Sequence, residues 1–181
     1  MFEMTDRIAL FIDGANNHTA AKALGFEVDY RRLLTEFQKH GILLRAFYYT
    51  AINADEDFSV IRPLVDWLDY NGFTVRTKLA KAFDDGEGRR RFKRSMSVEL
   101  AVDALEVARH VDHMFLFSGD GDLRRLVESV QRLGCRITVV SSMRMKPPIV
   151  ADELRRQADT FMELDTLRAS IERPPFPTAP E

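Results

Sequence analysis

Two apolar runs that end alike set the strongest limit on how this chain folds. Ile8–Ile12 runs into Asp13-Gly14, and Met114–Phe117 runs into Ser118-Gly119-Asp120-Gly121-Asp122. Each run is continuous rather than alternating, the pattern of a strand buried on both faces. Such strands belong to parallel sheets covered by helices on either side.

The stretches between and after them support an α/β fold with a central, mainly parallel sheet. His18–Phe26 reads as a short helix ending near Gly25, and Val28–Gly41 as an amphipathic helix stopped by glycine. Ile42–Ile52 reads as the second strand, Phe58–Gly72 as a helix and Phe73–Phe83 as the third strand. Asp84–Ser95 reads as a polar loop or hairpin tip. Ser97–Val111 is a helix with Ser97 as its expected N-cap. His113–Gly119 is the fourth strand, Asp122–Gly134 a helix and Cys135–Ser142 the fifth strand. The stretch from Pro148 to Ile171 is expected to be helical in part. One domain over residues 1–168 is expected, with a proline-rich, disordered tail over 169–181.

Composition narrows the function classes. The chain has 181 residues and is 45% apolar, enough for one real core. With 26 basic and 28 acidic residues, any nucleic-acid partner must be recognised by a local cluster. The single cysteine, Cys135, excludes an internal disulfide, and no Cys/His spacing suggests zinc. The N-terminus lacks the basic start and long apolar run of a signal peptide or membrane span, so a cytoplasmic protein with no membrane role is expected. Oligomeric state is not legible.

The acidic residues carry the chemistry. In an open parallel sheet every strand ends at the same edge, and a crevice opens where the order reverses. With strand order 3-2-1-4-5, Asp13 and Asp120 meet at that crevice, with Asp122 beside them. Gly14 and Gly119 are expected to let the backbone turn tightly there. Two unit charges about 4 Å apart repel by roughly 4 kcal/mol at an effective dielectric near 20, so such a cluster calls for a proton or a cation. Oxygen donors without His or Cys select Mg²⁺ or Mn²⁺. A cation held this way suits phosphodiester hydrolysis. Taken alone, Asp13-Gly14 reads as a turn with a helix cap; the matched pair of strand ends favours a site. Glu99 and Asp103 share one helix face, with Glu106 extending the stripe, and that face could close the crevice.

Just ahead of this helix, Gly88–Arg94 packs Arg89, Arg90, Arg91, Lys93 and Arg94 around Phe92. Cations supply phosphate contacts and an aromatic among them can stack on an unpaired base, so the loop is a candidate RNA contact. Arg124 and Arg125 could also approach phosphate. His110 and His113 flank the start of the fourth strand, at the opposite edge, and receive no chemical role.

Three blocks, Ala9–Asn17, Val98–Leu105 and Phe115–Ser141, in this order, resemble the NYN domain family of LabA-like proteins, within the PIN-like nuclease superfamily. The resemblance covers roughly residues 6–165. It implies a PIN-like three-layer α/β/α fold and a Mg²⁺- or Mn²⁺-dependent ribonuclease. The family's acidic positions fall on Asp13, Asp120 and Asp122, with Asp103 also matching, and Asn16 matches a residue that could hold substrate or water. One position departs: Ser97 stands where an aspartate is expected. Serine is a poor ligand for Mg²⁺, which keeps a non-catalytic RNA-binding module as the alternative. A phosphatase- or receiver-like domain with Asp13 as nucleophile ranks behind both, because the first strand lacks a second aspartate two residues on.

Overall fold

The computed structural model describes residues 5–52, 58–84, 90–93 and 95–174. In chain order the first half contains β1 (Arg7–Asp13), α1 (Gly14–Ala23), α2 (Tyr30–Phe37), β2 (Ile42–Ile52), α3 (Phe58–Tyr70), β3 (Phe73–Leu79), β4 (Lys81–Asp84) and β5 (Arg90–Lys93). The second half contains α4 (Ser97–Val107), β6 (His113–Phe117), α5 (Arg124–Arg132), β7 (Arg136–Ser141), α6 (Asp152–Gln157), β8 (Thr160–Glu163) and α7 (Arg168–Ile171).

Six strands form one sheet in the order β3-β2-β1-β6-β7-β8, and every pairing in it is parallel. Counted along the sheet's own strands this is 3-2-1-4-5-6: the expected order with one strand added. The buried runs divide their side chains between two cores. Ile8, Leu10 and Ile12 join Phe115 and Phe117 on the side covered by α1, α2, α3 and α7. Ala9 and Phe11 join Met114 and Leu116 on the side covered by α4, α5 and α6. Continuous hydrophobicity is what a strand with a core on each face requires.

Several expectations need correction. The sixth strand, Thr160–Glu163, lies in a stretch expected to be partly helical; it is an edge strand of four residues, too short for a period to register. The alternation over Phe73–Phe83 is not one strand. It breaks at Ala80, and Lys81–Asp84 leaves the sheet to pair antiparallel with Arg90–Lys93. The first helix begins at Gly14 rather than His18, because Asp13 caps it by accepting from the Asn16 amide at 3.2 Å. The helix from Ser97 ends at Val107, and its N-cap is Met96, with no side-chain cap bond. Packing also continues past residue 168: Ile171 is fully buried against the first core, and Glu172 bridges to Val28. The rest of the proline-rich stretch, residues 175–181, lies outside the described residues. Among the described residues no helix is long and apolar enough to cross a membrane.

Candidate functional site

The sheet order reverses between β1 and β6, which are hydrogen-bonded neighbours with Ile12 opposite Phe117. Their C-terminal ends therefore sit side by side, and the two loops are stitched together. Ser118 Oγ donates to Asp13 Oδ2 at 3.2 Å and accepts from the Asp120 amide at 3.2 Å. Asn16 Oδ1 accepts from the Gly119 amide at 2.8 Å. Asp120 in turn caps a short 3-10 turn over Gly121–Leu123, with its Oδ1 accepting from the Asp122 amide at 3.0 Å. Backbone amides thus orient both carboxylates, as their positions before helix starts lead one to expect.

Gly14 and Gly119 serve close approach rather than an unusual turn; neither has positive φ. A Cβ on Gly119 would stand 2.4 Å from the Ile149 carbonyl oxygen, and one on Gly14 would stand 2.6 Å from the Tyr48 ring. The Gly119 carbonyl accepts from the Ala151 amide at 2.9 Å, which pins the acidic loop to the start of α6.

Asp13 is an acid out of its ordinary range. Burial pushes its pKa up and the charge of Asp120 adds to this, while the Asn16 and Ala15 amides and the Ser118 hydroxyl oppose it. A carboxylate that resists ionisation beside a second carboxylate is the electrostatic situation a cation relieves. Ser97 at present relieves part of it: its Oγ donates to Asp120 Oδ2 at 2.9 Å and shares a hydrogen bond with Ser95 Oγ at 2.9 Å. Its role is therefore across the crevice and not at the helix end.

The other expected acids are placed differently. Asp122 is exposed on the rim of a groove of about 840 Å³, with Ser97, Lys78 and Arg125 among its walls. Asp103, 8% exposed, does not reach the pair. Its carboxylate accepts from the Tyr49 hydroxyl at 3.0 Å and from the Arg76 guanidinium at 3.0 and 3.2 Å. Glu99 is likewise taken by Lys78, at 2.9 Å to each oxygen. The acidic stripe of α4 is therefore a clamp onto the basic residues Arg76 and Lys78 of β3. Among the described residues no three His, Cys, Asp or Glu side chains gather into a metal-ligating cluster.

The donor set that remains, Asp13 and Asp120, is two carboxylates with hard oxygens. Mg²⁺ is commonly held by one or two carboxylates and keeps waters on its other positions, so this pair fits it. Of the basic loop, Arg89 and Arg94 lie outside the described residues. Arg90, Arg91 and Lys93 lie on β5, in register with Asp84, Phe83 and Lys81. His113 sits at the start of β6, bonded to Thr138, at the opposite end of the strand from the acid pair.

Two residues escaped the sequence reading. Ser118, which joins the two acids, could have been noticed as the first residue after the buried run. Glu153, whose Oε1 would meet a Cβ on Gly121 at 2.5 Å, adds a carboxylate behind the loop, and no spacing announces it.

The arrangement has relatives. The NYN domain family model matches residues 7–165. The chain is 37% identical over 182 residues to the Low amplitude and bright protein LabA of Synechococcus elongatus, covering 96% of this chain and 94% of that protein. A solved structure, a protein of unknown function from Vibrio parahaemolyticus, superposes with a TM-score of 0.71 at 28% identity, over 90% of this chain and 95% of that one. The family match runs from the first residue of β1 to beyond β8, taking in the whole sheet and both ends of the carboxylate pair, and the chain belongs to the NYN domain family.

Proposed function

We propose that this chain hydrolyses phosphodiester bonds in RNA with the help of one divalent cation, Mg²⁺ or Mn²⁺, held between Asp13 and Asp120. The observation that carries the reading is the tie through Ser118, whose hydroxyl donates to the Asp13 carboxylate and accepts from the Asp120 backbone amide, at adjacent strand ends where the sheet order reverses. Family membership supports the nuclease class. A hard divalent cation would supply charge neutralisation at the phosphate and a more acidic water.

The chain's own residues do the rest. Asp13 and Asp120 would present oxygens to the cation. Ser118 fixes the rotamer of Asp13, and Asn16 holds Gly119 so that the two loops cannot part. Asp122, exposed on the groove rim, would orient water from the solvent side. Asp103 acts at a distance, keeping α4 and hence Ser97 seated on the sheet.

A second reading has one specific observation behind it. The Ser97 hydroxyl already satisfies Asp120 without any cation, as an RNA-binding module that has lost turnover would need. A cleavage assay separates the two, using mixed-sequence RNA with Mg²⁺, Mn²⁺ or EDTA and comparing this chain with Asp13→Asn. Cleavage that needs the cation and disappears in Asp13→Asn supports the nuclease. RNA binding without cleavage under every condition supports the module. Cleavage that survives both EDTA and the substitution overturns the assignment of the site.

A further inference from the structure

On the α1–α3 side of the sheet lies a cavity of about 520 Å³ that the acid pair does not use. Its walls include Gly14, Ala15 and His18 of α1, Tyr48 and Thr50 of β2, and Leu64 of α3. These come from the C-terminal half of β2 and the start of α1, at the sheet edge where ligands of open parallel sheets bind. The volume falls within the ~300–1,000 Å³ typical of small-molecule pockets, and apolar walls with a few polar groups suit a flat heteroaromatic ring.

Gly14 is the wall shared with the acid pair. It follows Asp13 directly, and the Tyr48 ring lies so close that a Cβ on residue 14 would stand 2.6 Å from both its Cζ and its hydroxyl oxygen.

A second hollow of about 520 Å³ shares Tyr30, Leu64 and Arg173 with the first, and adds Arg31 and Trp67. The Arg31 guanidinium lies 5.8 Å from the centroid of the Trp67 ring. Arg173 is paired with Glu27 at 3.2 Å, but both side chains are well exposed, and such pairs cost little to open. The two hollows share three wall residues and start at Gly14, next to Asp13; they offer an apolar seat, an indole ring and two guanidinium groups, with the carboxylates of Glu27 and Asp29 also on their walls. Proteins that bind single strands combine these parts: cations along the backbone and aromatic rings against the bases.

We propose that the cavity between α1, β2 and α3 seats one unpaired base of an RNA strand whose neighbouring phosphate lies at the Asp13–Asp120 pair, and that the strand continues over Arg173 and Trp67. The identity of the strand as RNA rests on the ribonuclease reading; the seat rests on the cavity.

The test uses the full chain and a short single-stranded RNA carrying 2-aminopurine at one position at a time, in EDTA so that the strand stays intact. Binding should change the emission at one position and quench the chain's only tryptophan, Trp67. Ala15 and His18 are exposed, so changes there spare the core. Ala15→Phe, which fills the mouth, should abolish the 2-aminopurine response and weaken binding about 5- to 160-fold, the range of one lost base–aromatic contact. His18→Ala should reduce the same signal, and Asp13→Asn should keep it. RNA bound equally by the native chain and Ala15→Phe, with no responsive position, overturns the seat and leaves the ribonuclease reading standing. No RNA binding at all, either in EDTA or with Mn²⁺, overturns the ribonuclease reading and the seat with it.

Discussion

Replacing Ser97 by aspartate probes the carboxylate pair without removing either member. Ser97 Oγ now donates to Asp120 Oδ2 at 2.9 Å. An ionised aspartate has no proton to give, so Ser97→Asp exchanges an attraction for two facing carboxylates. Unit charges 4 Å apart repel by about 4 kcal/mol at an effective dielectric near 20. Residues 97 and 120 are both partly exposed, and solvent together with side-chain rotation brings the net cost to roughly 1–3 kcal/mol. For a chain of this length each kcal/mol lowers Tm by about 2–4 °C, so in EDTA the variant should melt about 2–12 °C below the native chain. A divalent cation reverses the balance, since a third carboxylate now faces it. Bound at 100 times its Kd it adds about 2.7 kcal/mol of stability. Ser97→Asp should therefore regain its loss in Mn²⁺, gain more from the cation than the native chain does, and cleave RNA faster. The assay is thermal unfolding of both chains in EDTA and in graded Mn²⁺. Equal Tm in EDTA, or a Mn²⁺-induced rise no larger than the native chain's, refutes the reasoning that residues 97 and 120 face each other across a cation site.

Other perturbations test the frame around the site. Asp103→Ala strands the Tyr49 hydroxyl and Arg76; because Arg76 is half exposed the loss should be about 1–3 kcal/mol in a urea titration, with cation affinity unchanged in the folded protein. A variant of normal stability that has lost the cation would instead put Asp103 in the site. Gly119→Ala forces a Cβ to within 2.4 Å of the Ile149 carbonyl, and should cost about 1–3 kcal/mol while displacing the acidic loop; a variant as stable and active as the native chain would show that the loop has room. His113 has its pKa lowered to about 4, first by burial and then by the charge of Arg136. The unfolded chain, with its histidine near 6.5, takes up the proton first. Stability from this group is therefore complete above about pH 6.5 and falls as pH drops toward 4. His113→Gln should flatten the stability curve across that window, and parallel curves would count against it.

Much of this architecture is written in local pattern. The runs at Ile8–Ile12 and Met114–Phe117 announce doubly buried strands because every position meets one of two cores. Their shared Asp-Gly endings then locate the crevice, since parallel strands finish at one edge. What local pattern could not supply was pairing between distant side chains. Asp103 looks like a site residue on its helix, and only the placement of Arg76 and Tyr49 on two strands turns it into a clamp. Ser97 looks like a cap, because serine before an apolar helix usually is one. Its hydroxyl is drawn instead to Asp120, a partner that becomes near only when α4 lies across the β6 end. β8 escaped notice because Thr160–Glu163 is a short edge strand with half-buried side chains, and the helical pattern of Asp152–Gln157 leads straight into it. The break at Ala80 escaped because β3 and β4 both alternate, and alternation does not say which sheet a strand joins.

Mn²⁺ binding measured by electron paramagnetic resonance bears most directly on the pair of strand-end aspartates. The native chain should take up one equivalent, and Asp13→Asn and Asp120→Asn should each abolish that site while remaining folded. Uptake that is unaffected by either substitution would mean that the carboxylates of the two loops tied together by Ser118 are not where a cation is held.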